Sequence, residues 1–449
     1  MQKLIAKYGL AAHLAIAAVA PLSLSRFFDE NAVATATLWL IGCAAVWMFL
    51  SPSVLGRERL RDARVRVFRA FISDPLMWVM AIVVLMAGIR AFNGGIKMVY
   101  DAETTVWSIA SAAFPILPGT VDGCGYLPFV TSVLAALLMA ACRHALGKAA
   151  RLSFCLVASV LAGATALTEI SLGMQEPQTE MAGLAYGIYF LAGTAALVGA
   201  FEYRWNWTVP FFLVAIGGTG LGLFAFADVL TLVSFLAAEL MLVGYMFFFA
   251  NRTLRKAAEF KLLVVYGISV TVAVLAVLSL VPEALISGKI TSVTPWRLFP
   301  DGFSEIRSVL SDIALRSWKV HPWLGSGLSS FSLDVRFFAT DSDWLVLISE
   351  RSSALNGYWH LIAERGIVGA ALLALPLVLL LAYFVIGLVR GAMALRLPHP
   401  AALIGPLSLS VAVLDAFFGV SFLRPETMAA VAFSLAVSTK SFPKERLDG

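Results

Sequence analysis

Apolar residues run along this chain in long unbroken stretches divided by polar segments, and they do not alternate with polar residues as barrel strands require. A hydrocarbon core of about 30 Å takes roughly 20 residues of helix to cross. The stretches predict twelve helical spans, at 8–25, 32–50, 75–89, 127–142, 152–171, 184–201, 207–226, 229–250, 262–281, 367–389, 401–422 and 427–439. The expected fold class is therefore an all-α integral membrane protein, with closed barrels excluded. The first run, with Lys3 and Lys7 ahead of it and Ala18, Val19 and Ala20 at its end, has some signal-peptide character, but we read it as a retained helix.

The polar segments set the expected orientation. Segment 51–74 carries Arg57, Arg59, Arg61, Arg64, Arg66 and Arg69, and segment 251–261 carries Arg252, Arg255, Lys256 and Lys261, which marks both as cytoplasmic. With both termini inside, 21 of the 33 Lys and Arg are cytoplasmic, and eight of the other 12 lie in one long segment, 282–366. Long loops are translocated largely regardless of charge, so the short ones decide.

Composition narrows the partners. With 60% hydrophobic and 14% charged residues and a mean hydropathy of +0.87, the chain cannot make a water-soluble surface of ordinary charge density, and the lipid bilayer is its expected solvent. A net charge of +5 does not point to nucleic acid, because the basic residues are spread over many loops and topology accounts for them. Cys43, Cys124, Cys142 and Cys155 lack metal-type spacing, so neither a disulfide framework nor a zinc site is expected. Gly217, Gly218, Gly220 and Gly222 resemble a dinucleotide fingerprint only superficially, since they lie inside a span, where close helix packing is their expected use.

Two outside segments, 90–126 and 282–366, are long enough to fold, and polar chemistry is expected there. The expected organisation is nine spans over 1–281, an extracytoplasmic loop subdomain over 282–366 and three spans over 367–449. In the loop, Phe303, Ile306, Leu310 and Ile313 recur at helical spacing with Glu305, Ser308 and Asp312 facing elsewhere. This predicts an amphipathic helix over 302–319, lying on the membrane or the bundle. A second helix is expected over 354–365, ended by Gly366.

The same loop contains LRSWKVHPWLGSGLSSF (315–331) and, leading into the tenth span, SALNGYWHLIAERGIVGAALL (353–373). The positions Arg316, Trp318, Pro322, Leu324, Gly325, Gly327 and Phe331, followed by Asn356, Tyr358, Glu364, Gly366 and Gly369, resemble the O-antigen ligase and polymerase family. That resemblance covers roughly 55 residues, and beyond them it is one of topology. It implies an enzyme at the outer face of the bacterial cytoplasmic membrane that takes a glycan from a polyprenyl-pyrophosphate carrier and transfers it to a glycan, lipid or protein acceptor. Other polysaccharide-assembly membrane proteins are implied as partners. Two places depart from the family pattern. Its usual histidine before the Asn is Leu355 here, and its common Ser-Arg pair between the seventh and eighth spans is replaced by Phe226, Ala227 and Asp228.

Displacing a pyrophosphate develops negative charge on the leaving group, and a guanidinium fork suits it. Arg316 has the motif behind it, while Arg90, Arg351 and Arg424 are candidates by position. Arg316 has a rival use in an ion pair with Asp312. The resemblance also puts Asn356 and Tyr358 among the substrate-binding candidates. A base for the acceptor hydroxyl has two outside histidines to draw on, His321 and His360. Asn356, His360 and Glu364 fall at i, i+4 positions as one polar stripe, in which Glu364 would orient the imidazole. Gly325 and Gly327 are expected to permit a tight turn rather than cradle phosphate.

Rival readings stay open. Asp341 with Asp343, or Asp29 with Glu30, could hold a divalent cation, although the favoured reaction uses neither metal nor cofactor. Glu239 and Asp415, inside spans, would suit a lipid-linked oligosaccharide flippase or other transporter. The favoured expectation is a membrane glycosyltransferase of surface polysaccharide assembly, with polymerase set ahead of ligase because the ligase-type histidine is missing.

Overall fold

The computed structural model describes residues 2–25, 27–50, 65, 68–69, 72–110, 114, 119–120, 127–142, 146, 148–172, 182–202, 208–253, 256–280, 301–340, 354, 356–393, 398–416 and 424–438. Helices dominate them. They are α1 (Gln2–Leu24), α2 (Glu30–Leu50), α3 (Pro75–Phe92), α4 (Leu127–Cys142), α5 (Lys148–Ser171), α6 (Gly183–Glu202), α7 (Val209–Phe226), α8 (Val229–Thr253) and α9 (Lys256–Leu280). After them come α10 (Asp301–Val320), α11 (Phe331–Phe338), α12 (Gly357–Met393), α13 (Ile404–Asp415) and α14 (Pro425–Val437).

Seven of these, α3, α5, α6, α7, α8, α9 and α12, contain stretches long and apolar enough to cross a membrane, and α1, α2, α13 and α14 carry shorter apolar stretches. The chain is a multi-pass helical membrane protein. Each of the twelve sequence-derived segments overlaps one of the helices.

Small residues let the helices approach closely, as packing between helices in lipid requires. Gly163 of α5 leaves no room for a side chain, because a Cβ there would collide with the Val214 carbonyl, and one at Gly218 would collide with Gly163. The facing turn, Leu213–Gly218, is wound as a π-helix inside α7. Thus the glycine run serves packing, as expected. α6 is enclosed by α5, α7, α8, α9, α13 and α14 and has 94% of its apolar window buried. Polar atoms at these contacts are paired across helices: Ser159 Oγ donates to the Tyr189 carbonyl at 2.6 Å, and Tyr189 Oη to the Ala18 carbonyl at 2.7 Å.

Two elements differ from expectation. Segment 90–126 contains an antiparallel hairpin, β1 (Lys97–Asp101) with β2 (Val106–Ala110), so the chain is not strictly all-α. Its short runs of mixed residues give no helical or strand period to read. The amphipathic helix forms as α10, but its apolar face turns inward: Leu310, Ile313 and Ala314 close a small core with Phe331 and Val335 of α11 and Ala363 of α12. That core places the candidate site.

Candidate functional site

The motif glycines do their work where α12 breaks. Gly366 sits at φ 66°, ψ −174°, a conformation reserved for glycine, and the helix resumes immediately after it. In an unbroken helix the carbonyls of Ala363 and Glu364 would accept from Ile367 and Val368. Instead, Ile367 N donates to the Pro322 carbonyl at 3.0 Å and Val368 N to that of Trp323 at 3.2 Å. The carbonyls so released are taken by Ser326 N at 2.8 Å and Gly327 N at 3.1 Å. Four backbone bonds between the loop and the helix thus replace the two that the break removes, and the released Ala363 and Glu364 carbonyls keep partners. Gly325 (φ 74°) and Gly327 (φ 124°) make this possible, since a Cβ at Gly325 would strike the Glu364 backbone. They serve a tight backbone approach, as expected of them.

Arg90, at the end of α3, locks the junction. Its Nη2 donates to the Leu324 carbonyl at 2.6 Å and its Nη1 to that of Glu364 at 3.2 Å. Residue 120 ties the hairpin base to the same place: Ile96 N donates to the Thr120 carbonyl at 2.8 Å, and Leu328 N to that of Gly119 at 2.9 Å. Residues 96, 119–120 and 328 thus join the hairpin to the glycine loop.

Beneath the motif lies a buried polar cluster. Asp334 Oδ2 accepts from Ser317 Oγ at 2.9 Å and Ser326 Oγ at 2.7 Å. Burial pushes its carboxyl up to about 7, with the neighbouring Glu364 adding to the rise and the serine hydroxyls opposing it. Glu364 Oε1 accepts from Phe331 N, the first residue of α11, at 3.3 Å, and its Oε2 lies 3.5 Å from His360 Nε2. The stripe read from the sequence is therefore two-thirds present. His360 and Glu364 meet, whereas Asn356 caps α12, its Oδ1 accepting from Tyr358 N at 3.0 Å and Trp359 N at 3.2 Å. The His360 ring is only 6% exposed, and its Nδ1 has no hydrogen-bond partner among the described residues.

The other candidates are dispersed. Arg316 pairs with Asp312 one turn back on α10 and donates to the Phe338 carbonyl at 3.0 Å. His321 is half-buried at the start of the loop, and burial holds its pKa below the usual range. Tyr358 Oη donates to the Val413 carbonyl, tying α12 to α13. Arg424 precedes α14 and is partly exposed. Asp29 Oδ1 accepts from Ala32 N at 3.2 Å at the start of α2. Arg351, Leu355, Asp341 and Asp343 lie outside the described residues. Among those described, no three His, Cys, Asp or Glu side chains converge as a metal site would need.

Sequence reasoning singled out neither Arg365 nor Asp334. Arg365 is buried, and together with Arg90 it lines a narrow cleft whose other walls are Val83, Met86 and Ala87 of α3 and Leu372 and Leu373 of α12. The cleft is open and its volume is about 30 Å³. The available signal was an arginine flanking a long apolar run beside the motif's Glu and Gly. For Asp334 it was the spacing of four through Ser326, Ser330 and Asp334. No protein-family model matches this chain, and no curated protein matches it.

Proposed function

We propose that this protein transfers a glycan from a polyprenyl-pyrophosphate carrier to a growing glycan or other acceptor, in surface polysaccharide assembly at the outer face of a bacterial cytoplasmic membrane. The observation that carries the reading is the α3–α12 cleft, where two buried guanidiniums head an apolar wall. An amphiphile with an anionic head and a hydrocarbon tail has that pattern of chemistry. In the reaction the acceptor hydroxyl attacks the anomeric carbon, its proton passes to a base, and the carbon–oxygen bond to pyrophosphate breaks with its electron pair leaving on phosphate. Arg90 and Arg365 stabilise that charge. Arg316 joins them only where phosphate displaces Asp312, and His360, oriented by Glu364, takes the proton.

Pairing of helix ends supports the up-and-down order of the proposed spans, and the basic segments 51–74 and 251–261 support both termini inside. Lys148 and His399 meet Glu202, and Tyr383 Oη donates to Asp74 Oδ1 at 3.3 Å, all at proposed cytoplasmic ends. At the opposite ends, Tyr186 meets Glu169, Thr231 meets Asp415, and Gly357 N donates to the Ala416 carbonyl at 2.6 Å.

The transporter alternative rests on Glu239 and Asp415. Each is met by a hydroxyl from a neighbouring helix, Thr194 at 2.6 Å from Glu239 and Thr231 beside Asp415, an arrangement that favours polar packing. The deciding experiment is the profile of carrier-linked and surface glycans in a strain lacking the protein. Loss of long chains supports polymerase, and loss of attachment with long chains retained supports ligase. Carrier-linked glycan trapped on the cytoplasmic side supports the flippase and overturns the transferase.

A further inference from the structure

The turn that joins α10 to the glycine loop, residues 320–324, is rich in exposed apolar side chains. Val320, Trp323 and Leu324 are exposed there, and so is Ile367 at the break in α12. Trp323 is the extreme case: 67% of it is exposed, and its indole N–H has no hydrogen-bond partner among the described residues. The nearby Trp318, by contrast, donates its indole N–H to the Pro322 carbonyl at 3.1 Å. An exposed apolar patch of this kind marks a surface that something apolar covers.

Backbone bonds fix the level of the turn against two membrane-crossing helices. The Pro322 and Trp323 carbonyls accept from Ile367 and Val368, the first residues of α12 after its break, and the Leu324 carbonyl accepts from Arg90 near the end of α3. Along α3, Trp78, Ile82, Leu85, Ile89 and Phe92 are all exposed at helical spacing, so one continuous apolar face of this helix meets lipid. Its 18 residues rise about 27 Å against a hydrocarbon core of about 30 Å, so the helix is used up in crossing and its last turn lies at a membrane surface. The turn at 320–324 is bonded to that last turn. An indole with an exposed ring and a free N–H suits this level, where acyl chains cover the ring and headgroup oxygens or water take the proton.

We propose that residues 320–324 are seated in the headgroup layer of the bilayer, with Trp323 as the anchor and the lipid surface as the partner of the patch. α10 turns its apolar face to protein, and the membrane contact of the loop falls to the turn that follows it. Nothing in this placement depends on glycan transfer. The full-length protein, without its four native cysteines, would be reconstituted in vesicles of phosphatidylethanolamine and phosphatidylglycerol, with Val320→Cys, Trp323→Cys and Leu85→Cys each carrying a nitroxide. Power saturation with oxygen and with a water-soluble nickel chelate, calibrated on lipids labelled in the headgroup and the chain, reads the depth. Labels at 320 and 323 should lie within about 10 Å of the phosphate plane. Both should be shallower than the label at 85, which the rise of α3 sets about 7.5 Å deeper than Arg90. With the native side chain in place, the emission lost in Trp323→Phe should be blue-shifted and quenched by lipid brominated near the top of its chains. The proposal is overturned if both labels meet the chelate as freely as a label in water, or if both are shielded from oxygen and chelate alike, as a covering protein or a second copy would shield them. Emission of a water-exposed indole at Trp323 overturns it as well.

Discussion

Arg90 and Glu364 stand 274 residues apart and are joined by one bond, Nη1 to a main-chain carbonyl at 3.2 Å. Through it, the end of α3 holds the broken turn of α12 against the glycine loop. Removing the guanidinium leaves the Leu324 carbonyl, which it meets at 2.6 Å, without that donor. A fully buried acceptor stripped of its partner costs about 1–3 kcal/mol, and this partly exposed one costs toward the low end of that range. Arg90→Ala should therefore lower the unfolding temperature in detergent and open the loop to proteolysis, with Arg90→Lys recovering only part because a single ammonium cannot span both carbonyls. Unchanged protease sensitivity in Arg90→Ala would show that the junction holds without it.

Asp334 gives the loop a pH dependence with a definite sign. Its folded carboxyl is pushed up to about 7 from an ordinary 3.8, so the folded state holds the proton more tightly than the unfolded chain. The stabilisation is complete below the unfolded value, and it is lost as pH rises through the folded one. The unfolding temperature of the loop should fall between about pH 4 and pH 7 and level off above, and Asp334→Asn, which keeps an acceptor for the serines, should flatten the slope. A slope unchanged in Asp334→Asn would assign it to another group.

Arginine substitutions rank the phosphate contacts. Arg365→Ala should abolish transfer in a direct assay with carrier-linked glycan, and Lys should restore little. Arg316→Ala should cost less, because its guanidinium is already shared between Asp312 and the Phe338 carbonyl. A chelator should leave the rate unchanged. Inhibition by chelator, reversed by a divalent cation, would move the leaving-group role to an acidic pair.

His360→Gln tests the base. General bases contribute roughly 10²–10⁴-fold, so the variant should lose at least about a hundredfold in rate at normal membrane expression. The ring's burial makes the competing outcome concrete. Near-normal transfer with a lowered unfolding temperature would mean that His360 and Glu364 only lock α11 onto α12.

Cysteines at positions 60 and 340, in a background without the four native cysteines, should label from opposite faces of the membrane. Labelling of both from one face would remove the shared compartment that the donor glycan and the loop require.

The apolar helices were legible because long apolar runs permit few other structures, and α10 was legible from its period. Its partner was not. Leu310 and Ile313 look the same whether they face lipid or protein, and only the distant Phe331 and Ala363 decide. At α12 the glycine signal was correctly placed between the expected helix and the span at 367–389, but the sequence does not show that the two run on as one helix broken at Gly366. The second helix was expected to include Asn356, whose side chain instead caps the helix that starts at Gly357. Arg365 was not singled out because the sequence does not show that it lines the same cleft as Arg90.

The enclosure of α6 bears on how the chain is assembled. It leaves the ribosome long before Pro425–Val437, one of the helices that cover it, has been made. Until then its sides meet lipid, which its mean hydropathy of 1.7 makes tolerable. Its resting place is therefore taken in two stages, insertion beside lipid and later a displacement of that lipid by α13 and α14. Early-synthesised halves of this protein should be inserted but loosely associated, and the central helix acquires its protection from exchange and cleavage only once the last helix is in the bilayer.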